Sequence, residues 1–114
     1  MSTIRTQQVS SEILHQSTQI INKNLEISNF FITLTRCEIS PDLKYAKIFI
    51  SVIPDTYRGS ALTLLKKNAF LIQKELKKTI RFYTIPKLHF LIDEREIKRI
   101  VISEALDEIN ENYK

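Results

Sequence analysis

Residues 30–52 hold two stretches with a two-residue apolar period, separated by a turn, and few folds accommodate that pattern. Phe30 to Ile39 is rich in Phe, Ile and Thr, which sit well on a pleated surface. Lys44 to Val52 alternates strictly. Ala46, Ile48, Ile50 and Val52 take one face, and Tyr45, Lys47, Phe49 and Ser51 the other. Between them Ser40-Pro41-Asp42 reads as a turn, because Pro41 fixes one dihedral and Asp42 can bond nearby amides. An antiparallel hairpin with one apolar face follows, and the rest of the chain must cover that face. The inward phase Phe30, Ile32, Leu34 passes to Cys37 and Ile39 near Arg36. One inserted residue exchanges the faces in this way, so a bulge is expected there, with Arg36 on the side opposite Cys37.

Two helical segments can supply the cover. In Thr6 to Asn24, the residues Val9, Ile13, Ser17, Ile20 and Asn24 form one stripe, with Leu14, Ile21 and Leu25 beside it. Ser2, Thr3 and Thr6 are all cap candidates. After a polar connection from Pro54 to Gly59, the spacing predicts a helix over 60–81. Ala61, Leu65, Ala69, Ile72, Leu76 and Ile80 face inward, Ser60 is the expected cap, and Asn68 is a weak helix former in its middle. Tyr83 to Pro86 reads extended, since a residue before proline avoids the helical region. Leu88 to Ile92 is a third strand, Asp93 to Arg99 a charged connection, and about 103–110 a short terminal helix. The expected fold is α+β in two layers, a three-stranded sheet with helices on one face. Packing economy puts the third strand beside the first. No long apolar strip then remains uncovered, so a monomer is expected.

Composition narrows the chemistry. The 114 residues suit one domain, residues 1–114, with its core at about 6–92. With Gly59 the sole glycine, a dinucleotide fingerprint, a Walker loop and a kinase phosphate loop are all excluded. With Cys37 the sole cysteine, there is no internal disulfide and no cysteine-based zinc site. Cys37 reads as a small core hydrophobe in a strand. His15 and His89 are far apart in sequence and belong to no ligand or triad pattern. Asp93, Glu94 and Glu96, interleaved with Arg95, Lys98 and Arg99, read as a solvated charge run rather than a magnesium site. Apolar runs are too short to span a bilayer, and Met1 to Thr6 lacks the apolar core of a signal peptide, so cytoplasmic residence is the expectation. No metal, no cofactor and no enzymatic activity are expected. A small metal-dependent nuclease would need convergent carboxylates or histidines.

One segment carries the charge. Residues 66–92 hold seven basic residues against one acidic, a net +6, where the whole chain has +4. Lys67, Lys74, Lys78 and Arg81 recur at spacings of seven, four and three, close to one helical face, with Lys66 and Lys77 on a flanking line and Lys87 after Pro86. Cations opposite an apolar stripe point at solvent, where phosphate backbones are the natural partner. Tyr83 lies at the end of this helix, placed to stack on a base.

The run Glu38-Ile39-Ser40-Pro41-Asp42-Leu43-Lys44-Tyr45-Ala46-Lys47 and the β-rich residues after it resemble the hairpin of the ribosome-binding factor A family, bacterial factors that mature the small ribosomal subunit. Asn68-Ala69-Phe70-Leu71-Ile72-Gln73-Lys74-Glu75-Leu76 is similar to the family's Ala-Ala-Gly-Phe-Ile-Arg-x-Glu-Leu. Arg81 to Phe90 is similar to its Arg-x-Arg-x-x-Pro-x-Leu-x-Phe. The chain departs from the family at Leu25-Glu26-Ile27, where an Asp-Pro-Arg signature stands, at Phe70 in a glycine position, and at Gln8 and Gln73. The resemblance implies a type II KH-like domain, its second helical region kinked at Asn68-Ala69 into helices of about 60–68 and 70–81. It implies transient binding of the free or precursor 30S subunit and its 16S rRNA near the head–body junction. The factor would assist late maturation and 5′-end processing without catalysing cleavage, with a GTPase partner for release and no membrane. The other reading is a generic single-stranded nucleic-acid-binding KH-like module, although the GxxG loop of such modules is absent.

Overall fold

A computed structural model describes residues 4–80 and 84–95. Its elements are α1 (Ile4–Asn24), β1 (Phe31–Ile39), β2 (Tyr45–Ile53), a 3₁₀ turn (Asp55–Tyr57), α2 (Arg58–Lys67), α3 (Ala69–Thr79) and β3 (Lys87–Ile92). The architecture is α+β with a small mixed sheet. The terminal helix expected near 103–110 lies outside the described residues, as do the cap candidates Ser2 and Thr3. Thr6 is no cap, because it sits buried inside α1. Ser60 is no cap either. The 3₁₀ turn feeds α2 two residues earlier, and Tyr57, stacked on Phe30 with ring centroids 5.3 Å apart, precedes it without a side-chain cap bond.

The hairpin forms as its alternation demands. Phe31 pairs with Ile53 through to Leu34 with Ile50, and Arg36 with Phe49 through to Ile39 with Ala46. Thr35 is the extra residue of the bulge. It returns Cys37 to the core side and sends Arg36 to the opposite face. At the turn, Ser40 Oγ donates to Asp42 Oδ1 at 2.6 Å, and the Lys44 amide donates to the same oxygen at 3.1 Å. These bonds, the Ser40 one foremost, hold the Asp42 carboxyl below its ordinary range. Leu43 takes φ 62°, a left-handed conformation uncommon for a leucine.

The third strand does not lie beside the first. β3 runs parallel to β2, Tyr45 opposite Lys87 and Ile50 opposite Ile92, so β2 is the central strand. The physical reason is the crossover. From the end of β2 the chain runs back through α2 and α3, and it re-enters the sheet in the direction of β2, as parallel neighbours require. The Lys87 amide donates to Lys44 O at 2.9 Å, and the Asp93 amide to Ile50 O at 2.8 Å, fixing both ends of the new strand. This order also spreads the helices, with α1 over β1 and against α3, and α2 over β3. Ala46, Ile48 and Ile50 of the central strand meet Ile13 and Ile21 of α1, Ala61 and Leu65 of α2, and Ile72 and Leu76 of α3 in one fully buried core.

Candidate nucleic-acid interface

The second helical region is broken at Asn68, as expected, and the break shapes the basic surface. The Asn68 amide reaches the Leu64 and Leu65 carbonyls at 3.1 and 3.2 Å, and its side-chain Nδ2 donates to Leu64 O at 2.8 Å. Its own carbonyl then accepts from the Ile72 amide at 3.0 Å. One residue therefore closes α2 and opens α3, using a short amide side chain to satisfy a carbonyl at the end of a helix. Ala69 follows, half-buried against the core, where its single methyl allows the two helices to approach. α3 ends at Thr79, with the Ile80 amide donating to Leu76 O at 2.7 Å. Arg81 and Tyr83 lie outside the described residues.

Ile72 and Leu76 anchor α3 into the core, and Ala61 and Leu65 anchor α2. Lys66, Lys67, Lys74, Lys77 and Lys78 are consequently all exposed on the outward side. The regular spacing from Lys67 to Lys74 crosses the break, so these two do not share a helix. Lys66 and Lys67 end α2, while Lys74, Lys77 and Lys78 run along α3. Glu75 is the one acidic residue between positions 58 and 79. Lys78 Nζ lies 3.2 Å from Glu75 Oε1, and at this level of exposure such a pair contributes little and leaves the surface strongly positive.

Sequence reasoning missed Phe70 as a surface group. It is 81% exposed at the start of α3, four residues before Lys74 and directly after the joint. The available signal was its place outside the Ala69, Ile72, Leu76 stripe. Lys87, by contrast, leaves the patch. As the first residue of β3 it is exposed in the phase opposite buried Leu88 and Phe90, on the sheet face that the helices do not cover.

The other candidate residues take ordinary structural places. Exposed His15 has Nε2 3.2 Å from Gln19 Nε2, and His89 faces Tyr45 with ring centroids 6.1 Å apart. Burial, with the Glu38 carboxylate beside it, pushes the Cys37 thiol up to about 12, which keeps it protonated. Asp93 corrects the reading of a solvated charge run. It is 1% exposed and bonded to Thr35, because the bulge in β1 brings a hydroxyl to the end of β3. The Thr35 bond, followed by those from Arg95, holds this carboxyl below its usual range. Among the described residues no three His, Cys, Asp or Glu side chains converge as metal ligands, and no helix is long and apolar enough to cross a membrane.

Comparison with known proteins agrees with this fold. Residues 5–106 match the family model described as ribosome-binding factor A. The ribosome-binding factor A of Desulforamulus reducens is 32% identical over 108 residues, covering 93% of this chain and 90% of that one. The crystal structure of ribosome-binding factor A from Thermus thermophilus superposes with a TM-score of 0.69 at 16% identity, over 76% of this chain and 94% of that one. A homology model of the Thermus thermophilus factor, fitted into a cryo-EM map of a 30S complex, superposes at 0.53 with 20% identity, over 69% and 92%. A three-stranded mixed sheet under a broken helix accompanies a match to one family over nearly the whole chain: the chain belongs to the ribosome-binding factor A family of non-catalytic, RNA-binding ribosome assembly factors.

Proposed function

We propose that this chain binds the immature 30S subunit and its 16S rRNA through the outward face of α2 and α3, and assists late maturation and 5′-end processing of the rRNA without cutting it. The observation that carries the reading is five exposed lysines and Phe70 around the Asn68 joint, countered by Glu75 alone. The Thermus thermophilus relative fitted into a 30S complex supports the choice of subunit. The order helix, two strands, two helices, strand supports a type II KH-like domain in which the Asn68-Ala69 joint stands where other members place a GxxG loop. Such a domain works by binding energy, preferring one of two rRNA conformations, and so needs no nucleotide hydrolysis of its own. Release then falls to a partner GTPase, with the free protein a cytoplasmic monomer of one domain.

Replacing Lys74, Lys78 and Arg81 by Gln tests this reading. The triple variant is expected to fold normally and to bind precursor 30S subunits more weakly at low salt. Its dependence of log affinity on log salt should be shallower by about 0.7–0.9 for each phosphate that is no longer neutralised. Unchanged affinity with an unchanged salt slope would defeat the proposal. Purified protein is expected to leave rRNA intact, and cleavage abolished by H15A or H89A would defeat the non-catalytic part.

A further inference from the structure

The sheet has a second face. The three helices cover the side lined by Ala46, Ile48 and Ile50, and among the described residues nothing packs over the other side. There Phe31 is 76%, Ile53 61%, Tyr45 53% and Leu91 39% exposed. The strand register sets these residues in rows: Phe31 beside Ile53, Arg36 beside Phe49 beside Leu91, Glu38 beside Lys47 beside His89, and Tyr45 beside Lys87. Because the bulge turned Arg36 outward, its guanidinium carbon lies over Phe49, 3.7 Å from the ring centroid. Glu38 bonds one end of that guanidinium, and buried Asp93 stands 3.9 Å from its Nε. The stack is thus fixed before any ligand arrives. Beside it runs a groove of about 580 Å³ lined by Arg36, Phe49, Leu91, Ile92 and Arg95, with the Glu94 carboxylate at its wall.

One ring capped by a planar cation, with further rings and two lysines in the neighbouring rows, suits one ligand class best. A single strand of RNA offers unstacked bases with π-faces and a phosphate on every residue, and it answers both features at once. A duplex hides its base faces, leaving the rings unmatched. An apolar protein segment could cover Phe31 and Ile53 but would leave Lys47 and Lys87 without counter-charge. Glu38, the carboxylate of these rows, is already held by Arg36. Phe31, opposite Ile53, lies about 13 Å along β2 from the Phe49 row, four residues at about 3.3 Å each, and offers a second platform. We propose that the open face of the sheet is a second RNA site, which holds a single-stranded segment with one base stacked on the outer side of the Arg36–Phe49 pair and its phosphates on Lys47 and Lys87. The lysines of α2 and α3 lie on the far side of the helix layer, so the proposal does not rest on the site described above.

The test titrates the ¹⁵N-labelled full chain with an oligouridylate decamer. Amide shifts are expected to cluster at residues 45–49 and 87–91. The variant Tyr45→Ser, Lys47→Gln, Lys87→Gln should lose about tenfold in affinity while keeping its melting temperature. Arg36→Lys keeps the charge but not the planar stack, and should lose about fivefold. Lys23→Gln, in the last turn of α1, should leave the decamer within about twofold of wild type. Shifts confined to α2 and α3, an open-face variant with unchanged affinity, or no binding at millimolar decamer would each overturn the proposal. Capture of a ribosomal protein by this face with no decamer binding would overturn it equally.

Discussion

Thr35 Oγ1 donates a 2.6 Å hydrogen bond to Asp93 Oδ2, tying the bulge of β1 to the end of β3 across the central strand. Arg95 adds its amide at 3.1 Å from the other carboxylate oxygen. The bulge therefore provides the hydroxyl that makes a buried carboxylate tolerable, and the same inserted residue puts Arg36 on the open face. Removing the hydroxyl with Thr35→Val leaves the charge under-bonded and should cost about 1–3 kcal/mol in chemical denaturation at neutral pH.

Asp93 also gives stability an acid limb. Its folded carboxyl is held below the ordinary value of about 3.9, so the fold favours the ionised form. That contribution is complete above the unfolded value and is lost as pH falls through the folded one. Denaturation midpoints measured below about pH 4 should decline with acidification, and Asp93→Asn should flatten this part of the profile while lowering the midpoint at pH 7. A steep acid limb surviving in the Asn variant would assign it to other carboxylates.

The helix joint predicts two different costs. Ala69→Leu forces three more carbons into a half-buried position between α2 and α3, with an expected loss of about 1–3 kcal/mol from overpacking. Asn68→Ala removes only the Nδ2 bond to Leu64 O and should cost about 0.5–1.5 kcal/mol. Equal midpoints for wild type and the Leu variant would show that the joint has room to spare.

Phe70 is a surface group by exposure, so Phe70→Ala should change stability by less than about 0.5 kcal/mol. Its effect belongs to binding. If the ring stacks on a base of the precursor subunit, affinity should drop about tenfold, and Phe70→Trp should restore it. Lys66→Gln with Lys67→Gln should weaken binding further but less than the α3 lysines do. A control replacing Lys23, Lys98 and Lys114 should change it least, because those positions lie outside the charged segment. A fully active Phe70→Ala would leave the lysines as the whole of that surface.

Cys37 should be inert while the protein is folded. With its thiol pushed up to about 12, the thiolate fraction at pH 8 is on the order of one in ten thousand. Alkylation by iodoacetamide is expected to be more than about a hundredfold slower in the native state than in denaturant, where the ordinary thiol value applies. Comparable rates in the two states would contradict the packing of Cys37 against the core.

What the chain determined by itself is what depends on near neighbours. The two-residue period of 44–52, its slip at Arg36, the turn at Ser40-Pro41-Asp42, the helical stripes and the weak point at Asn68 are all local. Each appears in the structure within a residue or two, because side-chain period and backbone bonding act over a few positions. The lysines of α2 and α3 were legible for the same reason, since an apolar stripe assigns the opposite face to solvent. Tertiary structure decided the rest. The place of β3 depends on which strand edge a crossover of more than thirty residues returns to, and the pattern within β3 fits either edge. That one choice separated Lys87 from the helix lysines and set it beside Tyr45. It also carried Asp93, fifty-eight positions away in sequence, to the Thr35 hydroxyl. A carboxylate among arginines looks solvated in sequence, and whether it is buried depends on a hydrogen-bond donor that only the packed sheet brings within reach.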